Sequence, residues 1–269
     1  MNKFFPTLFL TVLLAVFGCD NIEAVNPDLL YEKNIVVRAE LKPYSDIQGV
    51  FISKTLPINE PFDTAKAFIK DAAAYLKING IKIVPLHYSA EGMYKPLGTL
   101  ILLPGETVEL FASVENSPIY AVTKIPRIPE AVNVRYANGH LLATVKTNPG
   151  EAYGAVWTMM NPSSKNILEK GESFLSIVNA PETLSAASID VATKDLPEKY
   201  NASYYKDYRC IKVYAFDEAY LKYFNTKNNN QPVSDAFVQG GDLIAWNVQG
   251  EHVIGLFIGV SEGALLQSQ

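Results

Sequence analysis

DTAKAFIKDAAAYLKINGIKIVPL, Asp63 to Leu86, admits two readings. Ala65, Phe68, Ile69, Ala72, Ala73 and Leu76 fall on one helical stripe, with Asp63 placed to cap it. Yet Asn79-Gly80 stands between two alternating runs, Ala74/Leu76/Ile78 and Ile81/Ile83/Pro85. Asn-Gly between alternating runs is the strongest short hairpin signal, because both residues accept the positive φ a tight turn needs. The expectation is a hairpin from about Ala73 to Leu86, with at most a short helix before it.

The rest of the chain agrees with the hairpin. In NIVVRAELK, Ile35, Val37, Ala39 and Leu41 face one way, and Val36, Arg38, Glu40 and Lys42 the other. Period two with one polar face marks a half-buried strand. GETVELFASVE repeats the pattern, with Val108, Leu110, Ala112 and Val114 inward and Pro104-Gly105 as the turn before it. KIPRIPEA, Lys124 to Ala131, interrupts any ladder with two prolines. Beyond it, Val132, Val134 and Tyr136 alternate, Asn138-Gly139 turns the chain, and Leu141, Ala143 and Val145 return. EAYGAVWTMM, YRCIKVYAF, GDLIAWNV and HVIGLFIGV read as further strands, and DEAYLKYF as one or two helical turns capped by Asp217. The fold class is therefore mainly β. An immunoglobulin- or transthyretin-like antiparallel sandwich over 34–125 precedes a second, less regular β unit over 126–269, whose sheet the terminal strands complete.

The N-terminus carries an address. Lys3 and the amine place positive charge ahead of an apolar run from Phe4 to Phe17, broken only by Pro6, Thr7 and Thr11. A signal-peptide core takes roughly 7–15 residues, and a spanning helix about 20. Residues 1–18 read as a signal peptide. Its end, Val16-Phe17-Gly18-Cys19, resembles the lipobox of bacterial lipoproteins. In such proteins the cysteine thiol takes a diacylglyceryl group, the signal is cut before it, and the new amine is acylated. The resemblance makes Cys19 the lipid-attachment residue. Several acyl chains anchor firmly where one binds marginally. The expectation is a folded body held at a membrane by its N-terminal lipid, with residues 19–33 as tether.

Composition removes other classes. The chain has 269 residues and a net charge of −5, and the signal segment contributes only Lys3 to it. An acidic balance argues against nucleic acid as a partner and against anionic lipid surfaces. With Cys19 lipidated, only Cys210 remains, so no internal disulfide forms.

Motifs for chemistry are sparse. GVSEG, Gly259 to Gly263, satisfies the nucleophile pattern G-x-S-x-G. That motif needs a following helix, then an acid and a histidine, and only ALLQSQ follows Gly263. His87, His140 and His252 stand far apart without zinc-site spacing. Cys210, within an expected strand, reads as a small core residue. No catalytic residue, metal ligand or cofactor is expected. YNASYYKDYRC packs Tyr200, Tyr204, Tyr205 and Tyr208 around Lys206 and Arg209. Exposed tyrosines suit recognition, because the ring buries area while the hydroxyl stays wet. Tyr204, Tyr205 and Tyr208 are the expected contact residues; a belt of rings packed on a sheet is the other reading of the same stretch.

The order of features is also informative. NIVVRAEL is followed by DAAAYLKINGIKIVPL, LLPGETVELFASVE, IYAVTKIPRIP and a terminal VIGLFIGVS. Pro104-Gly105-Glu106, Thr123-Lys124-Ile125-Pro126 and Gly255-Leu256-Phe257-Ile258-Gly259 are its fixed points. This order resembles an uncharacterised lipoprotein family of Bacteroidota, domain of unknown function 4249. The resemblance implies an outer-membrane lipoprotein, often encoded beside a TonB-dependent receptor, with no assigned catalytic residue. The resulting expectation is a non-enzymatic lipoprotein of the outer membrane. It serves a TonB-dependent nutrient-uptake receptor as an accessory binding protein, with that receptor or a glycan as partner. The alternative is a fimbrillin-like structural or adhesive subunit, since those also combine a lipobox with β-sandwiches.

Overall fold

A computed structural model describes residues 31–57, 60–61, 63–181, 187–229 and 244–268. Cys19 and the signal and tether calls, apart from residues 31–33, lie outside the described residues, as do residues 241–243 of GDLIAWNV. Lys33–Leu56 and Phe62–Gln269 make one compact unit; Met1–Glu32 with Pro57–Pro61 make another. In the smaller unit the Glu60 amide donates to the Pro57 carbonyl.

The larger unit is mainly β. Its first half holds β1 (Ile35–Leu41), β2 (Val50–Lys54), helix α1 (Thr64–Ala67), β3 (Ala73–Ile78), β4 (Lys82–Ala90), β5 (Met93–Lys95), β6 (Thr107–Val114) and β7 (Ser117–Lys124). They hydrogen-bond in the order β1-β2-β5-β4-β3-β6-β7. β4 changes partner midway, pairing with β3 through Lys82–Leu86 and with β5 beyond it. The strands thereby enclose a single apolar core in a sandwich-like arrangement. Alternation decides who enters it. Val37, Leu41, Val108 and Leu110 are fully enclosed, each stabilising the fold by roughly 1.5–3 kcal/mol.

The ambiguous stretch resolves as both a short helix and a hairpin. Asp63 Oδ1 accepts the Ala65 amide and α1 lasts four residues. The buried Tyr94 hydroxyl donates to the Ile69 carbonyl and accepts the Ala72 amide, tying down the chain before β3. The turn, however, takes three residues, Asn79 to Ile81, with Ile78 opposite Lys82. Since one residue of slip exchanges faces, Val84 and Leu86 turn inward. Ile81 and Ile83, expected on the apolar face, are 86% and 62% exposed. Asn79 then bonds the Thr107 amide and the Glu106 carboxylate, so the Asn-Gly turn and the Pro-Gly-Glu turn lock together.

The second half holds β8 (Ala131–Ala137), β9 (His140–Lys146), β10 (Glu151–Met160), β11 (Ile167–Lys170), β12 (Val178–Asn179), β13 (Ser188–Ala192), β14 (Arg209–Asp217), helix α2 (Glu218–Asn229), β15 (Val248–Gln249) and β16 (Val253–Gln267). Asn138-Gly139 makes the expected tight turn, both residues at positive φ. β8 breaks its alternation at Asn133, also at positive φ; Val132 faces solvent and Val134 the core. A small sheet, β13-β9-β8, packs on one face of β10 and β14. Helix α2 covers the other face through Phe224 and Tyr220. It is longer than the one or two turns expected, and Asp217 caps it by accepting the Tyr220 amide.

β16 joins the halves. Val253–Gly259 run parallel to β1, and Val260–Gln267 antiparallel to β14. The terminal strand thus completes the sheet of the second half and also borders the first. Gly255, at φ +148°, lies so close to β1 that a Cβ there would sit 1.9 Å from the Val37 carbonyl oxygen. Among the described residues, no helix is long and apolar enough to cross a membrane.

Candidate binding surfaces

The polar face of β1 becomes one wall of a cleft of about 770 Å³. Alternation aims Arg38 and Glu40 away from the core, and Lys42 follows at the end of the strand. The parallel register sets Leu256 beside Arg38 and Ile258 beside Glu40. Helix α2 supplies Tyr220, Tyr223 and Lys227, and the loop before β2 supplies Asp46 and Gln48. Arg38 lies 4.8 Å over the Phe51 ring. Tyr220 stacks on Phe216 at 4.3 Å, and Tyr223 packs 5.3 Å from Trp246. Two of the cations are already engaged. Glu262 bonds both Lys42, at 2.7 Å, and Lys212, and this pairing holds its carboxyl down at about 2. Lys227 lies over the rings of Tyr223 and Phe224 at 5.4 and 5.2 Å. Sequence reasoning found Arg38 and Glu40 only as a wet strand face. Their neighbours on α2 lie far along the chain, and no local spacing joins them.

The tyrosine stretch forms a short 3-10 turn, Ser203–Tyr208. Tyr204 is 72% exposed. Tyr205 and Tyr208 are half-buried and pack against the core beneath the small sheet. The rings meet one another edge-on or stacked at 5.0 to 6.0 Å. A hydrogen bond with Tyr204 pushes the Tyr208 hydroxyl up. Tyr200 is buried against Trp157. Arg209, read as part of the contact surface, is buried instead. Its guanidinium donates to the carbonyls of Tyr200, Asn201 and Ala202 and lies 3.9 Å over Tyr136. Three consecutive carbonyls of the turn face inward, and the buried arginine satisfies all three. The surface therefore offers Tyr204 fully, Tyr205 and Tyr208 in part, and Lys206.

The G-x-S-x-G residues have another role. Ser261 is enclosed, and its hydroxyl donates to the Pro126 carbonyl at 2.6 Å. Gly259 donates its amide to Thr123 Oγ1 at 2.7 Å, and a Cβ there would meet the Lys124 carbonyl at 2.3 Å. The Thr123 hydroxyl donates in turn to Asp217. Burial pushes the Asp217 carboxyl up to about 6, against the pull of these bonds. The Thr-Lys-Ile-Pro exit and the terminal glycines are thus two sides of one joint. Glu151 secures the following linker, accepting the Arg127 amide and the Tyr153 hydroxyl. His140 bonds Asp195 and the Thr193 carbonyl, and Cys210 is buried with its thiol pushed up by that burial. Among the described residues, no cluster of three metal-ligating side chains forms.

No curated protein matches the chain. Among solved structures, a chain described as "Biofilm associated protein - BSP domain" is similar at 12% identity and a TM-score of 0.19. The match covers 68% of this chain and 26% of that one, so the chain spans about a quarter of that structure's length. A likeness that slight bears on neither fold nor function. The family model described as domain of unknown function (DUF4249) matches residues 22–264, and the chain belongs to that family.

Proposed function

We propose that this protein is a lipid-anchored, non-enzymatic lipoprotein of the outer membrane that serves a TonB-dependent uptake receptor as an accessory binding protein. The observation that carries the reading is the open cleft between β1 and α2. It is of ligand-site size and lined by aromatic rings and polar side chains. Tyr204, with its neighbours, offers a separate aromatic surface for the receptor. Cys19 is the proposed anchor, and the first half of the fold is proposed to be of immunoglobulin or transthyretin kind. Membrane fractionation tests the anchor: Cys19→Ala should leave the membrane fraction or stay uncut. A cleaved Cys19→Ala protein that still sediments with membranes would show the anchor to be elsewhere. A fimbrillin-like subunit, by contrast, would polymerise after proteolysis, where an accessory protein stays monomeric or receptor-bound.

A further inference from the structure

We infer that the cleft between β1 and α2 binds a carbohydrate; this rests on the binding-protein reading and names its ligand. The cleft combines two features that sugars require together. Tyr220 and Tyr223, both half-buried, line the cleft, and rings so placed suit the C–H face of a sugar. Facing them are planar polar groups of both hydrogen-bonding senses. Arg38 donates and Glu40 accepts, Asp46 accepts through the oxygen that the Leu100 amide leaves open, and Gln48 does both. A hydroxyl both donates and accepts, so such a mixed rim suits a polyol.

Other ligand classes fit less well. A phosphate or polycarboxylate needs converging free cations. Here Lys42 is tied to Glu262, Lys227 rests on aromatic rings, and Glu40 and Asp46 add negative charge. A peptide bound by strand addition needs an unpaired sheet edge. The floor here is the face of a sheet, and β1 is paired with β16 along its whole length. An oily ligand would leave the rim's charges desolvated and unpaired, which is costly. Arg38 and Glu40 make no side-chain hydrogen bond among the described residues; Arg38 rests on the Phe51 ring, which leaves its N–H donors for a ligand.

Trp246, in contact with Tyr223, is a built-in reporter. The test is a fluorescence titration of the full lipoprotein in detergent. The probes are short oligosaccharides of glucose, mannose, xylose and N-acetylglucosamine, with inorganic phosphate, citrate and a mixed tetrapeptide as alternatives. At least one oligosaccharide should give a saturable change. Arg38→Gln and Glu40→Gln, both on the solvent face, should each weaken it about tenfold or more while leaving the melting temperature unchanged. The inference is overturned if no oligosaccharide binds. It is also overturned if the tetrapeptide or an anion saturates the same signal, or if sugar binding survives both substitutions. Receptor capture is measured separately. A receptor partner without sugar binding sinks this inference alone; sugar binding without a receptor sinks the accessory role alone.

Discussion

β6 and β10 are both interior strands of one sheet path, yet they are buried differently. β6 alternates strictly, with every second residue in the core and the others half-exposed. In β10 only Val156 and Met160 escape full burial. The cause lies outside the strands. β6 has the first core on one side and water on the other. β10 has the small sheet on one face, against Tyr153, Trp157 and Met159, and α2 with Ile177 on the other, against Ala152. A strand with one wet face declares its orientation in sequence, whereas a strand covered twice shows only an apolar run. The first half of the molecule is therefore written in its alternation and the second in its neighbours. β16 takes part in both, which makes it the place to break or sharpen the contrast.

The largest effect is expected from Gly255→Ala. Its φ is one that side chains rarely adopt, and the added methyl collides with β1. We expect a loss of about 4 kcal/mol or more. Hydrogen exchange in β6 and β10 should rise together, because β16 pairs with both halves. Loss of protection confined to β6 would show instead that residues 34–125 and 126–269 are independent units.

Asp217 sharpens the contrast at the joint. Its folded carboxyl titrates near 6, above the ordinary 3.8, so the fold favours the protonated form. Its contribution is fully present below about 4 and is lost as pH rises through 6, an effect of up to ~3 kcal/mol. Melting temperature measured against pH should fall across that window in the native protein. Asp217→Asn should flatten the slope. An unchanged slope would place the titration elsewhere.

Ser261→Ala should cost ~1–2 kcal/mol, because a buried carbonyl at Pro126 loses its donor. A fluorophosphonate probe should leave both native protein and variant unlabelled; labelling that depends on Ser261 would revive the nucleophile. The smallest effect belongs to Glu262→Gln. Its two lysines are Lys42, just after β1, and Lys212 in β14, so it bridges both halves across β16, but all three side chains are partly exposed. The expected cost is below about 1 kcal/mol and shrinks with added salt. Because its carboxyl is held low, the variant should also lose less stability as pH falls from 4.5 toward 2.

Much of the first half was legible. The core positions of β1 and β6 and the Asn79-Gly80 turn follow from period two and turn chemistry. The facing of β4 did not follow, because nothing local distinguishes a two-residue from a three-residue loop around Asn-Gly. Asn161 to Lys199 carried no reading. There, β11 and β12 are short pieces held by β10, a partner whose register no local pattern sets. The cleft was hidden for a related reason: its walls come from β1, α2 and β16. The tyrosine stretch was visible as composition, but the burial of Arg209 depends on carbonyls that only the folded turn turns inward.

The role proposed for this protein is contact with an uptake receptor at the outer membrane. Affinity capture of the lipidated protein from outer membranes, with co-purifying proteins identified by mass spectrometry, tests it most directly. Tyr205 and Tyr208 also support the core, so Tyr204→Ala is the clean contact variant. We expect a TonB-dependent receptor to co-purify in comparable amount, and Tyr204→Ala to weaken that capture at an unchanged melting temperature. Recovery of the protein alone, or as a polymer of itself, would contradict the account.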